Sequence, residues 1–216
     1  MTDKILGIIE KQYKLREKGV GEFRTFKAKG MKFTCSAFDA EGLGHICVMR
    51  AVGFFGLMKM DTVVIAPTDK DIPLLSYDRI YAMGNDTLIM DLYDTMGEEK
   101  TDISALLDVK MQYAYLPDKT DLNEAHWYDS IRLPEMFAKK GKKGDTPEFD
   151  KLALEYIEAF LKLDGTPCEE NEKKKRTDSY VDGLLNQGGP ATDVFKKQFG
   201  CEKTSAILKG VLFGTK

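Results

Sequence analysis

The chain of 216 residues is poor in the side chains that usually announce chemistry. It has two histidines, four cysteines and one tryptophan. Cys35, Cys47, Cys168 and Cys201 are widely spaced, with no CxxC pair among them. A zinc or iron–sulfur centre within the chain is therefore not expected, and the cysteines read as buried free thiols in a reducing cytoplasm. His45 and His126 stand far apart without companion cysteines, which also argues against a metal. His45 follows Gly44 at the start of a strand, so an exposed or edge position is expected for it. No apolar run reaches the ~18 residues of a membrane span. The opening MTDKILGIIEKQYKLREKG interleaves apolar and charged residues. That is not the layout of a signal peptide, and a cytoplasmic location follows as the expectation. An excess of base is missing too: the net charge is −3 and the pI about 5.6. A general nucleic-acid binder would be basic. The sequence also lacks internal repeats, a nucleophile elbow and a phosphate-cradling glycine loop; Gly42-Leu43-Gly44 reads as a turn.

What is present is ordinary globular material, 43% apolar and 31% charged, enough for one domain over residues 1–216 with a real core. The spacing of Ile5, Leu6, Ile8, Ile9, Tyr13 and Leu15 predicts an amphipathic helix over 3–17, stopped by Gly19 and Gly21. Six short segments rich in β-formers follow, at 23–29, 31–38, 45–52, 58–66, 74–83 and 87–93. Glycine turns, or the polar loop before Pro73, separate them. Their connections are too short for crossover helices, which favours an antiparallel meander. After Met96 the pattern turns helical: 102–113, 122–131, a proline-initiated helix from Thr146 to about Leu163, then 174–185, 191–199 and 204–212. Segments 138–145 and 165–173 read as a charged loop and a polar linker. Strands first and helices after is an α+β order. The expected architecture is a three-layer α/β/α sandwich around an antiparallel sheet of about six strands.

One residue in this pattern is costly. Asp78 lies inside the fifth segment among apolar residues, two positions after Ser76. A carboxylate there must be hydrogen-bonded, paired or protonated. Two readings are open: a structural Asp held by a backbone amide or by Arg79 or a lysine, or a general acid whose raised pKa keeps a proton near neutrality.

Two segments together resemble the ferredoxin-dependent bilin reductases, which reduce the linear tetrapyrrole biliverdin to phycobilins. The first runs through Ala66-Pro67, Asp71-Ile72-Pro73-Leu74, Ser76-Tyr77-Asp78 and Met90-Asp91. The second closes the chain with Phe199-Gly200, Glu202 and Leu212-Phe213. The resemblance implies an antiparallel sheet flanked by helices, with the pigment between the sheet and the C-terminal helices. It implies no bound metal or flavin, and electrons taken singly from reduced ferredoxin. Asp78 matches the Asp that protonates the bilin. Where much of the family carries a histidine on the preceding strand, this chain has Thr62, with Asp61 beside it. Asp61 could donate a proton if a one-residue difference in register turned it inward. Asn186 stands two residues before Gly188-Gly189, where the family often has Asn-Asp or Ser-Asp. The site expected from the resemblance is therefore Asp78 and Asp61 as catalytic acids, with Thr62, Ser76 and Asn186 at the substrate. The alternative function is a non-catalytic tetrapyrrole binder on the same scaffold.

Ten methionines, several of them in strands, are either core filling or a soft wall for a flat ligand. His126-Trp127 reads as helix-to-sheet packing or as a pigment contact. Lys139-Lys140-Lys142-Lys143 and Lys173-Lys174-Lys175-Arg176 are either solvated surface or a patch that steers an acidic electron carrier.

Overall fold

The computed structural model describes residues 1–120 and 125–216. Its centre is one antiparallel sheet of eight strands: β1 (Leu15–Lys18), β2 (Thr25–Ala28), β3 (Met31–Ala40), β4 (Gly44–Gly53), β5 (Met58–Pro67), β6 (Leu74–Ala82), β7 (Asn85–Tyr93) and β8 (Phe137–Lys142). The spatial order is β1-β3-β4-β5-β6-β7-β8, with β2 beside β1 along the same edge of β3. β3 to β7 form the meander that the short connections predict.

Helices cover both faces, giving the expected three layers. On one side lie α1 (Thr2–Glu10), α2 (Ser104–Gln112) and α3 (Thr146–Leu161), packing Ile5, Ile9, Leu106, Phe149, Tyr156 and Phe160 against Ile46, Val63, Ile65, Tyr77 and Leu88. On the other lie α4 (Glu170–Gln187), α5 (Pro190–Ser205) and a π-helical turn (Ala206–Leu212). These pack Val181, Phe195 and Ile207 on Phe33, Cys35, Cys47 and Val64. Burial on both sides explains why β4 and β5 read as near-continuous apolar runs rather than strict alternation. The break expected at Gly200 is a kink inside α5, where Gly200 takes φ +78°.

The differences from the sequence reading are local. The N-terminal helix stops at Glu10, and Leu15–Lys18 pairs with residues 37–40 of β3. The free backbone edge of β3 offers that segment ladder hydrogen bonds, and these override its helical spacing. Segment 137–142 is a strand for the same reason, since it closes the edge of β7. α4 begins at Glu170, inside the expected linker. Of the expected helix 122–131, residues 122–124 lie outside the described residues, and Trp127–Ile131 is a 3-10 turn.

Two buried cations tie the helices to the sheet. On the α3 side Arg79 is fully buried and gives two hydrogen bonds to Asp86, Nε–Oδ1 2.5 Å and Nη2–Oδ2 2.6 Å. Thr146 at the start of α3 donates to the same carboxylate, and Phe149 lies under the guanidinium at 5.1 Å. On the other side Lys173 of α4, also fully buried, donates to Asp71 Oδ1 (3.0 Å) and to the carbonyls of Ile72 (2.7 Å) and Thr95 (2.9 Å).

Candidate active site

Strand pairing sets the geometry of the site. Thr62 of β5 stands directly opposite Asp78 of β6, Ile89 of β7 faces Asp78 from the other side, and Ser76 faces Asp91. Because alternate side chains share a face, Thr62, Ser76, Asp78 and Asp91 all lie on the α4–α5 side of the sheet. Thr62 Oγ1 donates to Asp78 Oδ1 at 2.5 Å, and Ser76 Oγ donates to Oδ2 at 3.2 Å. Both carboxyl oxygens of the half-buried Asp78 therefore hold hydroxyl donors. Neither Arg79 nor a lysine is among its partners; Arg79 points to the opposite face and belongs to Asp86.

Burial is the main reason that the Asp78 carboxyl is pushed up to about 6; the charge of Asp91 adds to the rise, and the two hydroxyls oppose it. Asp91 is buried and is itself raised by burial, against the pull of Arg132 and of the Tyr93 hydroxyl. Tyr93 donates to Asp91 Oδ2 at 3.2 Å, and Arg132 Nε lies 3.2 Å from Oδ1 as an ion pair without an aligned hydrogen bond. Tyr93 in turn packs on Tyr180 of α4, with ring centres 4.4 Å apart. Two carboxyls with raised proton affinity thus stand on one sheet face, with Ser76 hydrogen-bonded to Asp78 and directly across the strands from Asp91.

The other expected site residues are not brought here. Asp61 is one residue from Thr62, and the alternation of the strand sends it to the opposite face, 3.9 Å from the N-terminal ammonium. It cannot face a ligand lying over Asp78. Asn186 is exposed on the last turn of α4, and none of the hydrogen bonds to Asp78 or Asp91 among the described residues comes from it. Trp127 packs on Tyr180, and its indole N–H donates to the Gly188 carbonyl at 2.9 Å, so it fastens the 3-10 turn to α4. Of the strand methionines, the buried Met49 and the half-buried Met58 and Met60 share the Asp78 face, whereas Met90 lies in the opposite core. His45 is buried instead of exposed, because the C-terminal segment folds over it. Burial depresses it to about 4, and its Nε2 sits 2.9 Å from the Val211 carbonyl, where the neutral ring donates. It lines a polar cleft of about 430 Å³, with Arg16, Asp39 and Lys174, at the Gly44–Pro67 end of β4 and β5. The second basic cluster is neutralised, with Lys173 buried on Asp71, Lys174 and Lys175 pairing along α4 and Arg176 reaching Asp71; in the first, Lys139 is buried on Asp118.

Asp91, Tyr93 and Arg132 are parts of the cluster that sequence reasoning missed. The signal for Asp91 was available. A two-residue turn at Met83-Gly84 makes Ser76 and Asp91 cross-strand partners. Arg132 carried no such signal, since only the tertiary fold returns the segment after β7 to that strand.

No helix among the described residues is long and apolar enough to cross a membrane, and no three His, Cys, Asp or Glu side chains among them are grouped to hold a metal. No family model and no curated protein matches the sequence. Among solved structures, the crystal structure of phytochromobilin synthase from tomato in complex with biliverdin superposes with a TM-score of 0.71. The alignment covers 99% of this chain and 83% of that one at 12% identity, so the chain shares the fold of that biliverdin-bound protein: an antiparallel sheet between two helical layers.

Proposed function

We propose that the whole chain acts as one bilin-reductase-like unit, which binds a linear tetrapyrrole over the sheet face of Asp78 and reduces it. Electrons come singly from reduced ferredoxin or a similar acidic carrier, with no resident cofactor. The observation that carries this reading is Asp78 itself: half-buried, hydrogen-bonded at both oxygens, and holding its proton up to about pH 6. A general acid works best with a pKa near the working pH. The shared fold with a biliverdin-bound structure supports the substrate class. Adding electrons to an extended tetrapyrrole builds negative charge on it, and a proton from Asp78 relieves that charge. Thr62 and Ser76 orient the carboxyl. The raised proton affinity of the neighbouring Asp91 suits a group that holds a second proton on the same sheet face. Asp61 has no part in this scheme, being on the other face.

One observation favours the second reading, a non-catalytic tetrapyrrole binder: the residue facing Asp78 is a threonine, which does not titrate near neutrality. Absorbance separates the two. Mixing the protein with biliverdin is expected to shift the pigment spectrum, and adding reduced ferredoxin to convert it. Asp78→Asn is expected to retain the shift and lose the conversion. A shift without conversion in the unaltered protein establishes the binder, and no shift rejects both readings.

A further inference from the structure

Three hairpins turn at one end of the sheet: β2–β3 at Lys29-Gly30, β4–β5 at Phe54 to Leu57, and β6–β7 at Met83-Gly84. They lie side by side because Ala28, Met31, Gly53, Met58, Ala82 and Asn85 form one cross-strand row. The tips carry large apolar side chains in solvent. Phe55 is fully exposed, Met83 is 92% exposed, Leu57 74% and Phe54 58%. The next row inward is Lys27, Lys32, Val52, Lys59, Tyr81 and Asp86, the last buried and paired with Arg79. Its three lysines are exposed and without ion-pair partners among the described residues. Neither 25–38 nor 42–60 contains an acid, although the chain as a whole is acidic. A third feature coincides. Among the described residues, the four non-glycine positions with positive φ are Lys29, Phe54, Phe55 and Met83, all at these tips. A left-handed backbone favours glycine or asparagine, so two phenylalanines and a methionine there are held in an unfavourable conformation that projects them outward.

We propose that this end of the sheet docks on an anionic lipid bilayer, with Phe54, Phe55, Leu57 and Met83 entering the interface and Lys27, Lys32 and Lys59 meeting the headgroups. The tips are separate projections and form no groove. Projecting apolar side chains ringed by unpaired lysines fit a soft, negatively charged medium, which closes around each of them. The rigid surface of a partner protein would need matching cavities. The inference stands apart from the proposed reductase activity, because the tips lie at the sheet end and none of these residues touches Asp78.

The test is sedimentation with vesicles of phosphatidylcholine alone and of phosphatidylcholine with phosphatidylglycerol. The protein is expected to bind the anionic vesicles, to lose binding as salt is added, and to leave neutral vesicles unbound. Phe55→Asn, which keeps a residue tolerant of the left-handed backbone, and Lys32→Glu with Lys59→Glu should each weaken binding about tenfold. Phe55→Trp supplies a reporter whose emission should shift to the blue on anionic vesicles, relative to the parent protein with Trp127 alone. Failure to bind anionic vesicles, an unmoved Phe55→Trp emission, or undiminished binding of Phe55→Asn overturns the proposal. So does self-association in the ultracentrifuge that Phe55→Asn abolishes without any vesicle binding, since it assigns the surface to a second copy.

Discussion

Replacing Asp78 with asparagine should make the protein more stable at neutral pH, and the gain can be worked from the site. The carboxyl is raised from its usual 3.8 to about 6 in the folded protein. The folded state therefore holds this proton more tightly than the unfolded chain does. Folding stability from this group is fully present below about pH 4 and is lost as pH rises through about 6. A rise from 3.8 to about 6 corresponds to about 3 kcal/mol. Because Asp78 is partly open to solvent, about 2 kcal/mol is the better expectation. Asparagine has nearly the same shape and no charge to bury, so its stability lacks this dependence. Its amide oxygen still accepts from Thr62. The assay is urea unfolding of both proteins from pH 4 to 8. The two curves should nearly coincide near pH 4 and separate through pH 6, with the variant ahead by about 2 kcal/mol above pH 7. Such a gain from deleting a functional group is the usual mark of a site held for chemistry at the expense of stability. A pH-independent difference, or a variant less stable than the parent at pH 7, would refute the raised carboxyl and with it the general-acid role.

Other consequences follow from packing. Arg79→Ala leaves the Asp86 carboxylate buried without its partner, and should cost about 3–5 kcal/mol in urea unfolding; a cost below about 1 kcal/mol would mean that the pair is hydrated. Gly183→Ala would place a methyl group 2.2 Å from the ring of Trp127. The indole should be displaced and lose its bond to Gly188, with a red shift in the emission of this sole tryptophan and a cost of about 1–3 kcal/mol. Unchanged emission would show that the ring does not occupy that contact.

The legible parts of this protein share one property: each depends on neighbours close in sequence. The hairpin series from Met31 to Tyr93 was readable because glycines and the Pro67–Pro73 loop mark its turns. The helix from Thr146 was readable from its first turn. Thr62 was singled out by the family resemblance and not by a local pattern, and the strand register sets it directly opposite Asp78. What failed depends on distant partners. Leu15–Lys18 has a helical stripe and Phe137–Lys142 has hardly any apolar pattern, yet both are strands, because β3 and β7 would otherwise leave backbone donors and acceptors unpaired. The lysine clusters read as solvated patches, and two of their members are buried cations under carbonyls and carboxylates that come from elsewhere in the chain.

The sequence by itself determined the six strands from Thr25 to Tyr93, the turns between them and the presence of an awkward carboxylate at Asp78. Only the tertiary structure decided which groups that carboxylate meets. Thr62 and Asp61 are adjacent in sequence and lie on opposite faces of the sheet. Asp91 and Ser76 are fifteen positions apart and face each other. Arg132 reaches Asp91 across a gap of forty-one residues. The proton affinity of a buried acid is set by desolvation and by charges within a few ångströms, and those are properties of the folded surface around it.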